Sequence, residues 1–331
     1  MVQTHRVTVA GTGQSFDVCE GDRILATARR AGIWFPFECG WGGCGTCKAT
    51  VVEGDTELLF AAAPAVDPRD TRRRRILVCQ STPTSDIVVK PLRTSDCAPE
   101  ERPTRDYRAS LRSREELARN IGRFRFSLDD VATYRPGQHA ILSLAPGLRR
   151  CYSMAGLPGS REVEFIAKRY DPGTGSQHLF QLPIGTQIDI ELPYGDTWLR
   201  PTQRPIVLIA GGTGISAILS LVRQLATGVS EHRPVHVFYG AATRKDLACW
   251  DELSQAMALI PDAHLHTALL EPDAHWHGDT GLVTTALAQR LPDLADAEVY
   301  LAGPPLMVDA VRAQLHEHDV QADRIHYDSF G

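Results

Sequence analysis

Apolar and polar residues alternate in RVTVAG and QSFDVC, and Thr12-Gly13 between them reads as a turn, which predicts an N-terminal β-hairpin. DRILATARRAG follows with apolar residues at helical spacing and Asp22 placed as an N-cap. KATVV, ILVCQ and DIVVKP predict further strands, making a small α+β unit over residues 1–94. Residues 95–103 are polar, hold two prolines, show no periodicity and predict a linker. From 104 to 200 the strands are short and alternating (GRFRFSL, HAILSLA, EVEFIAKRY, TQIDIEL), punctuated by Gly and Pro as in a small antiparallel β-barrel. After Pro201 the rhythm changes. PIVLIA is a continuous apolar run, ISAILSLVRQLA is helical, and VHVFYG, DLACWDELSQAMALI, HLHTALL, AEVYLAG and PPLMVDAVRAQLHEH keep up the alternation. Strands alternating with helices predict an α/β parallel-sheet domain over 201–331.

Composition narrows the class. Hydrophobic residues make up 43% and charged residues 23% of the 331, as in a soluble folded protein. No apolar run approaches the roughly 20 residues that span a bilayer, and MVQTHRVTVA shows no export signal, so a cytoplasmic location is expected. A net charge of −5 argues against a nucleic-acid binder. Arg72 to Arg75 are the local exception, read either as a solvated loop or as a docking patch for an acidic partner.

The chemistry begins in FECGWGGCGTCK. Cys39, Cys44 and Cys47 have the spacing C-x4-C-x2-C, and Cys79 follows at a distance, which is the plant-type [2Fe–2S] pattern. Glycines let the loop bend sharply and aim backbone N–H groups at sulfur. Two rivals stand beside it. Cys44-Gly-Thr-Cys47 alone matches a redox dithiol, but no strand leads into a helix there. Zinc would prefer two separated knuckles, and Cys79 has no neighbouring cysteine. Cys19, Cys97, Cys151 and Cys249 are scattered and read as small apolar residues.

Two further regions suit nucleotides. Arg150-Cys151-Tyr152-Ser153 offers a guanidinium, a flat ring and a hydroxyl. Gly173-Thr174-Gly175-Ser176 precedes a helical stretch where N–H groups can hold a phosphate. Gly212-Thr213-Gly214 joins a buried strand to a helix, a place for a pyrophosphate. Asp246 is placed to accept a ribose diol, while Arg244 or Lys245 would suit a 2′-phosphate. The pairs HLH, HWH and HEH (264–266, 275–277, 316–318) lack companion carboxylates and read as surface or half-buried histidines.

RCYS, GTGS, GGTG and GPP together resemble the ferredoxin–NADP reductase superfamily of FAD enzymes. With the cysteine loop in front, the whole chain is similar to the reductase components of bacterial ring-hydroxylating oxygenases, such as those of Rieske dioxygenases and of toluene or phenol monooxygenases. The resemblance implies that Arg150, Tyr152 and Ser153 hold the flavin, with Gly173 and Ser176 at its pyrophosphate. It implies Gly212, Thr213, Gly214, Gly303 and Pro304 around the nicotinamide coenzyme, and Phe330 over the flavin face opposite Tyr152. Tyr152, Ser153 and Phe330 are then the residues at the reacting ring. Two positions depart from the family: Ala302 stands where a Cys is common, and His139, read as an ordinary partly exposed histidine, where a Tyr is common. The implied cofactors are a [2Fe–2S] cluster, FAD and NADH, with NADPH second. The implied partner is a terminal oxygenase or an intermediate ferredoxin docking near Arg72–Arg75, and the expected state is a monomer. A reductase for another acceptor, such as one in sugar dehydration, and a zinc-stabilised binding protein remain the alternatives.

Overall fold

The computed structural model describes residues 3–37, 39–61, 63–92, 103–229, 233–291 and 293–329. Most of the expected linker, Cys97 and Phe330 lie outside the described residues. The chain divides into two compact units: 1–106 with 141–151 and 189–193, and 107–140 with 152–188 and 194–331.

The N-terminal elements are β1 (Thr4–Val9), β2 (Ser15–Cys19), α1 (Ile24–Arg30), β3 (Lys48–Glu53), β4 (Thr56–Leu58), α2 (Pro68–Arg72), β5 (Arg75–Leu77), β6 (Ser81–Pro83) and β7 (Ile87–Pro91). Five strands form one mixed sheet in the order β2-β1-β7-β3-β5, and β4 pairs with β6. The alternation read in the sequence is realised: Val7, Val9, Phe16 and Val18 turn inward while their neighbours face out. Helix α1 starts one residue later than expected, because Arg23 rather than Asp22 is the N-cap residue. Helix α2 opens on a capping box, in which the Asp67 carboxylate accepts the Arg69 N–H and the Asp70 carboxylate accepts the Asp67 N–H. Asp70 also pairs with Lys48 at 2.6 Å, which ties this helix to β3.

The central elements are β8 (Arg105–Ala118), β9 (Ile121–Leu128), β10 (His139–Ala145), β11 (Leu148–Ser153), β12 (Glu162–Lys168), α3 (Thr174–Gln181) and β13 (Gln187–Tyr194). They make a six-stranded sheet in the order β11-β10-β13-β8-β9-β12. Strand β8 has no counterpart in the sequence reading, since SREELA has a helical composition. Antiparallel pairing with β9 overrides that propensity, with register shifts at Leu111/Ser113 and Glu116/Ala118. Met154, just after β11, bridges Phe165 of β12.

The C-terminal elements are β14 (Ile206–Gly211), α4 (Ile215–Gln224), β15 (Val235–Ala241), α5 (Trp250–Met257), β16 (Ala263–Leu269), β17 (Asp279–Thr280), α6 (Val283–Arg290), β18 (Glu298–Gly303), α7 (Pro305–Glu317) and β19 (Ile325–Ser329). All six strands run parallel, in the order β17-β16-β15-β14-β18-β19. The continuous apolar run of β14 serves both faces. Leu208 and Ala210 join a core with residues of α4 and α5, while Val207 and Ile209 join one with residues of α6 and α7. Each fully buried Leu or Ile there contributes about 1.5–3 kcal/mol.

The HLH pair lies on β16, HWH lies in a loop and HEH closes α7. His264 and His266 share one face of β16 with His236 of β15. His236 Nδ1 is 3.4 Å from His266 Nε2, and the His236 and His264 rings stack at 4.8 Å. Burial, and then repulsion from His264 and His266, holds the His236 imidazole down to about 4. An unfolded imidazole titrates near 6.5, so between the two values the unfolded chain binds more protons. Stability is therefore complete above the higher value and is lost as pH falls toward the lower. Replacing His236 with Gln is expected to shrink the drop in urea-denaturation midpoint between about pH 7 and pH 5. A variant with the wild-type pH slope would show that the stack imposes no such cost.

Candidate functional site

The cysteine loop is built around backbone that favours glycine. Gly40 and Gly42 have φ of +64° and +99°, and a Cβ on either would meet Ile141 Cδ1 at 2.5 Å or Ala63 Cβ at 3.0 Å. The resulting bend points the Gly43 and Cys44 N–H groups at Cys39 Sγ (3.2 and 3.4 Å) and the Thr46 N–H at Cys44 Sγ (3.5 Å). Cys79 comes from the turn between β5 and β6 rather than from a strand, and its Sγ lies 3.2 Å from Cys47 Sγ. Cys39, Cys47 and Cys79 are buried and Cys44 is exposed.

Cys47 and Cys79 thus stand as one close pair of sulfurs, and Cys39 and Cys44 are joined as a second pair through the Cys44 N–H. A single zinc needs four donors around one ion, whereas two pairs suit a two-iron cluster held by four thiolates. Charge points the same way. The hydrogen bond between Cys39 and Cys44, followed by burial, pushes the Cys39 thiol far up, and the same bond brings Cys44 down to about 5. Cys79 is pushed up by its bond with Cys47 and by burial. Four thiolates repel one another here unless cationic metal lies among them, so the donor set fits a cluster.

Strand β11 carries Arg150, Tyr152 and Ser153. Arg150 donates to the Arg149 carbonyl at 2.7 Å, and its guanidinium lies 4.4 Å from the centre of the Trp41 ring in the cysteine loop. Tyr152 packs against Phe165 with ring centres 6.4 Å apart, and Ser153 is buried. At the start of α3, with Gly173 as N-cap residue, the Ser176 hydroxyl donates to the Gly173 carbonyl (3.1 Å) and accepts the Tyr170 N–H (3.0 Å). A Cβ on Gly173 would come within 2.8 Å of Ser176 Oγ, so the turn is closed tightly onto the helix start. Within the second unit, a ring face at Tyr152, a hydroxyl at Ser153 and the helix start at Ser176 are groups that fit a flavin nucleotide.

The residues that the resemblance assigns to the coenzyme lie where strand order reverses. The chain leaves β14 toward β15 on one side, and β18 continues to β19 on the other, which is the crevice where open α/β sheets bind ligands. Gly212–Gly214 forms a 3-10 turn at the end of β14, while Gly303 and Pro304 end β18 and lead into α7. Ala302 is fully buried. The Asp246 carboxylate accepts the Thr243 hydroxyl at 2.6 Å and the Thr243 N–H at 3.1 Å, so one of its oxygens already caps a turn. Arg244 is held by Asp273 (3.1 and 3.2 Å) and by the His275 carbonyl (2.7 Å).

One expectation is corrected. His139 is buried, not partly exposed, because it stacks on Tyr194 and faces Asp328 of β19 at 3.7 Å. No local pattern signals that partner. Of the four arginines, Arg72, Arg73 and Arg74 are exposed, while Arg75 turns back toward Asp70 at 3.8 Å.

Three family models match the chain: a 2Fe-2S iron–sulfur cluster binding domain at 7–84, an oxidoreductase FAD-binding domain at 108–198 and an oxidoreductase NAD-binding domain at 208–313. The ferredoxin–NAD(+) reductase component of the alkene monooxygenase system of Xanthobacter autotrophicus is 36% identical, over 96% of this chain and 98% of that protein. The reductase component DmpP of phenol 2-monooxygenase from Pseudomonas sp. is 31% identical, over 98% and 95%. Among solved structures, the ferredoxin reductase in carbazole 1,9a-dioxygenase superposes with a TM-score of 0.88 at 28% identity, covering 100% of this chain and 99% of that one. With its cluster, flavin and nicotinamide domains in that order, the chain belongs to the ferredoxin–NAD(P)+ reductase components of oxygenase systems.

Proposed function

We propose that this protein oxidises NADH and sends the electrons one at a time, through FAD and a [2Fe–2S] cluster, to the oxygenase of an aromatic ring-hydroxylating system or to its intermediate ferredoxin. The observation that carries the reading is the pairing of four cysteine sulfurs in the same chain as a flavin strand and a parallel-sheet switch point. In this reading residues 1–94 form a β-grasp ferredoxin, 104–200 an antiparallel barrel whose end strands meet through Met154 and Phe165, and 201–331 the coenzyme domain. No described helix is long and apolar enough to cross a membrane. In this reading the protein is a cytoplasmic monomer.

When bound, FAD supplies the conversion between a two-electron hydride donor and a one-electron cluster. The chain's own residues place the reactants. Gly212, Thr213 and Gly214 take the coenzyme pyrophosphate at the start of α4, and Gly303 and Pro304 border the nicotinamide. Arg150, Gly173 and Ser176 would hold the flavin pyrophosphate, and Tyr152 and Ser153 its ring. Cys39, Cys44, Cys47 and Cys79 ligate the cluster. Exposed Arg72, Arg73 and Arg74 guide an acidic partner toward it.

Cys44→Ser is expected to abolish the cluster's visible absorption and cytochrome c reduction, while NADH–ferricyanide activity through the flavin persists. Loss of both activities with FAD still bound would end the modular relay. Asp246 supports NADH through its remaining carboxylate oxygen, and Asp273 keeps Arg244 away from a 2′-phosphate. Asp273→Asn should therefore raise kcat/KM for NADPH about five- to tenfold with little change for NADH. An unchanged coenzyme ratio would remove Arg244 from the site.

A further inference from the structure

We propose that Ser216, Ser220 and Arg223 of α4 form a positioning stripe that fixes the flavin strand relative to the nicotinamide loop. The proposal rests on the function given above. Spaced i, i+4 and i+7, the three residues share one face of the helix. Ser216 and Ser220 are 1% and 0% exposed. A buried serine inside a helix ordinarily bonds the carbonyl one turn back. These two reach outward instead: Ser216 Oγ donates to the Ser153 carbonyl at 2.6 Å, and Ser220 Oγ to the Gly156 carbonyl at 2.9 Å. Arg223 donates to the Ala155 carbonyl between them at 2.8 Å. One helix face thus holds three carbonyls within the four residues 153–156, the continuation of the flavin strand.

The grip extends further. Ser216 Oγ accepts the Ile166 N–H of β12 at 3.4 Å, and Ser220 Oγ accepts the Gly137 N–H at 3.3 Å, so each hydroxyl acts as donor and acceptor. Arg223 is itself anchored by Glu164 at 3.1 Å and Glu252 at 2.7 Å. Ser216 stands two residues after Gly214. A dinucleotide seated at Gly212–Gly214 is thereby referenced to Ser153 through less than one helical turn. Hydride transfer demands that accuracy, since a misplacement of about 1 Å costs on the order of 100-fold in rate.

The test uses the full-length holoprotein, with Ser216→Ala, Ser216→Thr and Ser220→Ala. Measured are anaerobic flavin reduction by NADH in stopped flow, FAD content, visible circular dichroism of the flavin, and Tm. In Ser216→Ala the limiting reduction rate is expected to fall about 10- to 100-fold, with half-saturation by NADH and FAD content unchanged and the flavin dichroism altered. Ser216→Thr restores the rate, and Ser220→Ala shows the same pattern more weakly. A wild-type limiting rate and dichroism in both alanine variants would overturn the proposal, as would loss of FAD and Tm that Thr does not rescue. If the unaltered protein is not reduced by NADH, the proposed function fails instead.

Discussion

A Cβ on Gly214 would lie 1.9 Å from the Ala302 carbonyl oxygen and 2.9 Å from the Gly303 nitrogen. No side chain fits there, so the ends of β14 and β18 meet backbone to backbone. The rest of the coenzyme half depends on that approach. It brings the two glycine-bearing turns together at the point where strand order reverses, and it fixes where α4 starts. The direction of α4 then determines which carbonyls its polar face can reach. A substitution at Gly214 would displace the turn, the helix and the segment at 153–156 together.

The other half is governed by charge rather than by contact. Close sulfurs push one partner's proton affinity up, as at Cys39 and Cys79, while Cys44 is brought down beside Cys39, and cationic metal among them lets all four act as thiolates at once. Cluster binding is then also folding energy, because the unfolded chain has no such arrangement. The N–H groups aimed at Cys39 and Cys44 depend on glycine backbone, so the loop is preformed for an anion that the protein alone does not hold comfortably.

Features carried by neighbouring residues were legible in the sequence. The spacing of Cys39, Cys44 and Cys47, the Arg-x-Tyr-Ser strand and the turn at Gly212–Gly214 each declare themselves within a few positions. The two apolar faces of β14 followed from a run with no polar residue. What escaped is set by distant partners or by competition. Strand β8 carries helix-favouring residues that β9 recruits through antiparallel pairing. His139 finds Asp328 from the last strand, and Asp246 turns back on Thr243 to close a cap. Ser216 and Ser220 look like ordinary small helix residues until the carbonyls they hold are known.

Those hydroxyls bear on how such proteins can be recombined. A coenzyme domain taken from a relative with an apolar α4 would leave the carbonyls of Ser153 and Gly156 without these donors. Each buried carbonyl left unpaired costs about 1–3 kcal/mol. The natural seam for a chimera therefore does not run at Pro201. Residues 153–156 and α4 need to be exchanged together, although about sixty residues separate them along the chain.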